Sequence, residues 1–131
     1  MRDILFRGKR TDNGTWTSGY LFCFWERAYL CWGMKNNVPV MEEVIPETVG
    51  QYTGLKDKNG KKIFEGDIVK IPLYEGCQEK AIAVVAWDIL CAVFYLHGKR
   101  VKTDFYHYFG DDCEIIGNIH DNKLEDLEKG C

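Results

Sequence analysis

The sequence predicts an all-β fold, a small barrel or sandwich of short strands that ends in a short helix. Three observations carry the prediction. Apolar runs recur at strand length, glycine and asparagine turns punctuate them, and helical periodicity is confined to the last ten residues. The densest block is Gly50 to Ile71, which packs two turn signals and two strand signals into one stretch.

The elements follow in order. Ile4 to Arg7 leads into Thr11-Asp12-Asn13-Gly14, and Asn-Gly between apolar runs is a strong hairpin signal because both residues tolerate positive φ. Gly19 to Trp25 reads as a strand that the polar pair Glu26-Arg27 turns, and Ala28 to Trp32 returns. Pro39 and Pro46 exclude a helix through the middle, so Val38 to Ile45 reads as a short edge strand. Asp57-Lys58-Asn59-Gly60 reverses the chain between Val49–Tyr52 and Lys61–Phe64, with Gly60 free to be left-handed. Glu65-Gly66-Asp67 then feeds the strand Ile68 to Ile71, which Pro72 stops.

Ala81 to Trp87 is a continuous apolar run, the pattern of a central strand covered on both faces. A turn at Trp87 to Leu90 leads into Cys91 to Leu96, and Val101–Phe109 and Glu114–Ile119 supply two more strands. Asn122 to Lys129 reads as helix, with Asn122 as cap and Leu124 and Leu127 on one face.

At 131 residues the chain is one domain, or a small domain with an arm. With 46% hydrophobic residues it is too apolar to be disordered. The formal net charge of -3 argues against attachment to nucleic acid by whole-molecule charge, although it leaves room for a local basic patch. No window approaches the roughly 18 apolar residues of a membrane span, and Met1-Arg2-Asp3 opens straight into a strand, so the expected location is the cytoplasm, with no membrane partner. Six cysteines would suggest disulfides in a secreted protein. Here Cys23, Cys31 and Cys91 fall inside apolar runs and read as buried free thiols, and the absence of any Cys-x-x-Cys argues against a structural zinc site.

The segments Ile4–Arg10, Gly19-Tyr20-Leu21, Val44 through Lys70, Val85-Ala86-Trp87-Asp88 and Glu114–Asn122 together resemble the YopX-like family of bacteriophage and prophage proteins. Lys123 departs from the proline that the family carries there. The resemblance implies a β-rich fold with an SH3-like small β-barrel over residues 49–121, an N-terminal β-hairpin region over 1–48 and a short C-terminal helix over 122–131. It also implies a setting in bacterial mobile elements. It implies no activity.

Seven aromatics lie between Trp16 and Trp32. Strand alternation puts Tyr20, Phe22 and Phe24 on one side and Leu21, Cys23 and Trp25 on the other, so both faces are apolar and both need covering. A second molecule would cover them through Tyr20, Phe22, Phe24, Trp25 and Trp32; a core internal to the monomer satisfies the same pattern. Lys56, Lys58, Lys61 and Lys62 surround one turn, and Lys99, Arg100 and Lys102 form a second basic cluster. Either fits nucleic-acid phosphates, but exposed lysines at a hairpin tip also block edge pairing, and Asp57 and Glu65 dilute the first cluster.

His107, Asp111, Asp112, Cys113 and Glu114 crowd metal-donor atoms together, yet consecutive aspartates in an extended segment point apart, so no metal or other cofactor is expected. Hydrolase and phosphate-loop motifs are missing, and Ser18 is the only serine. The expected function is therefore a non-enzymatic binding or assembly module that forms a homo-oligomer or engages a host or phage protein. A nucleic-acid-binding accessory protein is the alternative, and a small metal-dependent enzyme comes last.

Overall fold

A computed structural model describes residues 3–74, 76–104 and 112–128. The chain is mainly β and forms two compact units, Met1–Tyr52 and Thr53–Cys131.

In the first unit, β1 (Phe6–Lys9), β2 (Trp16–Phe24), β3 (Arg27–Lys35) and β4 (Val38–Val44) form an antiparallel meander, and a 3-10 turn at Pro46–Thr48 leads into β5 (Gly50–Lys56), whose first residues pair with β1. Arg10 bridges to Val44 and the Ile45 amide donates to the Lys9 carbonyl (2.8 Å), so the meander curls until the end of β4 meets the end of β1. The concave side holds Ala28, Leu30 and Val44, with Phe6, Leu21 and Val49 packed against them. Both long hairpins turn on two residues. Asn36-Asn37 has φ of 53° and 64°, the pattern of a type I′ turn that asparagine accepts. The β2–β3 turn is Trp25-Glu26 rather than Glu26-Arg27, because Phe24 pairs with Arg27 and leaves Trp25 at the tip with φ 57°.

The second unit opens with the rest of β5, which pairs with β6 (Lys62–Phe64). Its main sheet has the order β10-β9-β8-β7-β11, from β7 (Asp67–Pro72), β8 (Lys80–Asp88), β9 (Val93–His97), β10 (Lys102–Asp104) and β11 (Glu114–Asn118). The turns expected at Gly60 and Gly66 form there, with φ of 80° and 94°. β8 is central, as its unbroken apolar run predicts: Ala83 and Val85 join a core with Ile63, Val69, Ile71, Leu96 and Cys113, and Ala81 and Ile82 are buried too. These strand pairings are all antiparallel, and among the described residues they make an open sheet with β10 and β11 as edges, not a closed barrel.

Several local expectations are corrected. β8 continues to Asp88, and the turn is Ile89 to Ala92, where Ala92 takes φ 55°. The helix α1 is Leu124–Glu128, and Asn122 does not cap it: its Oδ1 accepts the Asn118 amide (3.2 Å) instead. Cys23 and Cys91 are exposed, the first beside the tip of a hairpin and the second in a turn, and Cys31 is half-buried, whereas Cys113 is the thiol buried in the core. Of the expected strand Val101–Phe109, only Lys102–Asp104 is β10; residues 105–111 lie outside the described residues, and His107 and Asp111 with them.

Candidate functional site

Registers fix which side chains share a face of the β2–β3–β4 ribbon. Phe22 stands opposite Tyr29, Phe24 opposite Arg27, and Tyr20 opposite Cys31, which in turn stands opposite Met41. Directly opposed residues lie on one face, so these side chains belong together on the side away from Leu21 and Leu30. Three of the rings touch in sequence. Phe22 and Phe24 lie 6.2 Å apart and nearly parallel, and Phe24 meets Trp25 edge-on at 4.2 Å. Phe22, Phe24, Tyr29 and Met41 line a shallow hollow of about 350 Å³.

That face is open. Tyr20 is 64% exposed, Phe22 50%, Phe24 48% and Trp25 89%. With full aromatic side chains offering roughly 150–250 Å² each, these four leave roughly 500 Å² of aromatic surface in water, at the upper end of what a monomer presents as one patch. Arg27 and Glu43 rim it, and the Tyr29 hydroxyl, followed by the Glu43 carboxylate, holds the Arg27 guanidinium above its ordinary pKa. One charge of each sign therefore edges an apolar strip.

Four of the five aromatic candidates meet here and the fifth does not. Trp32 points to the opposite side, where its indole Nε1 donates to Glu42 (3.2 Å), beside a bulge between Cys31 and Gly33. Tyr29 and Met41 complete the hollow. The signal for Met41 was absent from sequence, because its place opposite Cys31 depends on that bulge.

The basic turn does not converge. Lys58 reaches Glu114 (2.6 Å), which raises the lysine and lowers the carboxyl from their ordinary values, and Lys56, Lys61 and Lys62 are exposed around a turn whose centre is a buried carboxylate. Asp57 Oδ1 accepts the Asn59 and Lys61 amides (2.9 Å each) and Oδ2 accepts the Ile115 amide (3.1 Å), so it ties the turn to β11. Asp67 does the same on a smaller scale, accepting the Phe64 amide at 2.8 Å. Among the acidic-segment candidates that are described, Cys113 faces the core and Glu114 is held by Lys58. Burial first, then the Asp57 and Asp67 charges, push the Cys113 thiol up to about 12. Among the described residues, no three His, Cys, Asp or Glu side chains gather as metal ligands.

The model of the family described as YopX protein matches residues 5–125. The chain belongs to the YopX family. The YopX match spans both units, so the curled meander and the second sheet are both parts of the family's domain. Among solved structures, the crystal structure of protein EF1440 from Enterococcus faecalis is similar, with a TM-score of 0.56 and 22% identity over 93% of this chain and 96% of that one. At that identity the likeness is one of fold. No curated protein matches the chain. Among the described residues, no helix is long and apolar enough to cross a membrane.

Proposed function

We propose that this YopX protein is a non-enzymatic assembly module of phage or prophage origin, acting in the cytoplasm, whose first unit associates with a second copy of itself through the aromatic face. The observation that carries the reading is the exposed cluster of Tyr20, Phe22, Phe24 and Trp25 around a hollow floored by Tyr29 and Met41. A second copy suits this face better than an unrelated protein because Arg27 and Glu43 give it one charge of each sign, and an isologous pair can set each against its opposite. Two copies would cover about 1,000 Å² of aromatic surface, near the lower bound for a specific interface, so the expected association is micromolar and reversible. We read the second unit as a distant relative of the SH3-like barrel that engages a phage or host partner.

Light scattering after size exclusion tests the assembly reading. The wild-type mass should rise from monomer towards dimer across a micromolar concentration series, and Phe22→Ser with Phe24→Ser should remain monomeric with an unchanged far-ultraviolet spectrum. A wild-type chain that stays monomeric at every concentration overturns it.

A further inference from the structure

The second unit collects cations that the sequence keeps apart. In β8, Lys80, Ile82, Val84 and Ala86 alternate onto the side away from the core of Ala81, Ala83 and Val85. Val84 stands opposite His97, His97 opposite Lys102, Ala86 opposite Tyr95, and Ile82 opposite Lys70. Lys70, Lys80, Lys102, Tyr95 and His97 therefore share the second face of this sheet, which is buried at Ile82 and at Ile68 opposite Val84, and on which Asp104 stands opposite Tyr95. Lys80, Lys102 and His97 are exposed, and the Tyr95 and His97 rings stack at 5.9 Å with 26° between their planes.

The β9–β10 turn adds two more cations. Gly98 lies so close to β8 that a Cβ there would collide with the Ile82 carbonyl oxygen, and its amide donates to the Val101 carbonyl (2.8 Å). This seats Lys99 and Arg100 beside Lys80. Two depressions share Lys80 and Arg100: one of about 280 Å³, lined also by Lys99 and Glu128, and one of about 310 Å³, lined also by Lys70 and Glu79. Four cations thus line these depressions and meet four carboxylates: Glu79 and Glu128 in the lining, Glu125 acting on Lys99, and Glu114 opposite Lys70. Glu128 pairs with Lys99 (2.9 Å), and Glu79 pairs with Arg100 (2.8 Å) in an exposed ion pair that a competing anion displaces at little cost. Lys80 and Lys102 have no carboxylate partner among the described residues.

We propose that this face binds single-stranded nucleic acid, with Lys80, Arg100 and Lys102 on backbone phosphates and the Tyr95–His97 pair stacked on a base. Phosphate cations beside an aromatic platform on an open sheet are the two elements such binding combines. Neighbouring strands lie roughly 4.8 Å apart, so the step from Lys102 across β9 to Lys80 is of the order that a few nucleotides span. A duplex keeps its bases stacked inside and has nothing to offer the rings.

Fluorescence anisotropy with labelled oligothymidine and oligouridine of about 15 nucleotides tests this, using the full chain. Binding should weaken steeply with salt. Lys80→Glu with Lys102→Glu should cost at least about tenfold and flatten the log–log salt slope by about 1.4, the value of two phosphate contacts on a single strand. His97→Ala, at an exposed position, should weaken binding about tenfold with the slope unchanged, because stacking releases no counterion. Lys61→Glu with Lys62→Glu should leave affinity within about twofold. No binding at low salt, equal affinity for a duplex of the same length, or an equal loss in the Lys61/Lys62 variant overturns the proposal.

Discussion

Asp57 offers the sharpest test of how the second unit is held. Its side chain is 5% exposed and accepts three backbone amides, two from its own turn and one from Ile115 across 58 residues of sequence. Removing the carboxylate by Asp57→Ala leaves all three donors without that acceptor. The Asn59 and Lys61 amides belong to exposed turn residues that water can reach, at about 1 kcal/mol each, whereas the half-buried Ile115 amide carries a larger penalty of about 1–3 kcal/mol. The expected loss is about 3–5 kcal/mol, or roughly 10–20 °C in Tm for a domain of this size. Asp57→Asn keeps one oxygen and turns an NH₂ on the remaining donors, so about half that loss is expected.

The pH dependence follows from the same contacts. Desolvation pushes the Asp57 carboxyl up, but the amides of Ile115, Lys61 and Asn59, with the Lys61 charge, outweigh it and hold the folded pKa below its ordinary value. A depressed carboxyl stabilises above its unfolded value of about 3.9 and loses that contribution as pH falls through the folded value. Thermal melts from pH 7 downwards should therefore show a constant gap between wild type and Asp57→Asn above about pH 5 that narrows below about pH 4. Amide exchange at Ile115 should accelerate in both variants at pH 7. An Asp57→Ala protein that melts within about 2 °C of wild type, or a gap that does not narrow in acid, refutes the reasoning.

Thiol chemistry separates the cysteines: Cys23 and Cys91 should react with Ellman's reagent within minutes at pH 8, while Cys113, buried and pushed up to about 12, should react only when the second unit opens; a Cys113 that matches Cys91 in rate contradicts its placement. Gly98→Ala should destabilise the second unit by about 2 kcal/mol or more, because the new methyl meets a backbone carbonyl that cannot rotate away; urea denaturation with an unchanged midpoint would show that the β9–β10 turn is not seated on β8.

The elements legible in sequence were those with local causes. Asn13-Gly14, Asn59-Gly60 and Glu65-Gly66 each name their own turn, and the Ala81–Trp87 run announces a strand with neighbours on both sides. Alternation likewise found Tyr20, Phe22 and Phe24 as one face. Local pattern does not reach a residue whose role is decided far along the chain. Cys23 sits in an apolar run yet is exposed, since burial depends on which end of the ribbon the rest of the chain covers. Trp32 shares the Leu30 face by plain alternation, but its partner Glu42 reaches that face only through a bulge that no local pattern marks. Asp57 reads as an ordinary turn aspartate until Ile115 donates to it, and Lys80 joins Arg100 only because Gly98 lets one turn lie on another strand.

The net charge of -3 bears on both proposed surfaces in different ways. Overall negative charge opposes long-range capture of a polyanion, so any nucleic-acid affinity of the second unit must come from contacts within about a Debye length, roughly 10 Å at 0.1 M salt. Lys80, Lys99 and Arg100 line one depression, which is that scale, while Lys102 lies two strands away from Lys80. Self-association of the first unit rests instead on aromatic area, with one rim charge of each sign, and like-charged copies repel less as salt rises. Raising ionic strength in one sample should therefore release the oligonucleotide while leaving the dimer intact or strengthening it. The opposite response would place the apolar contacts and the cations in the wrong roles.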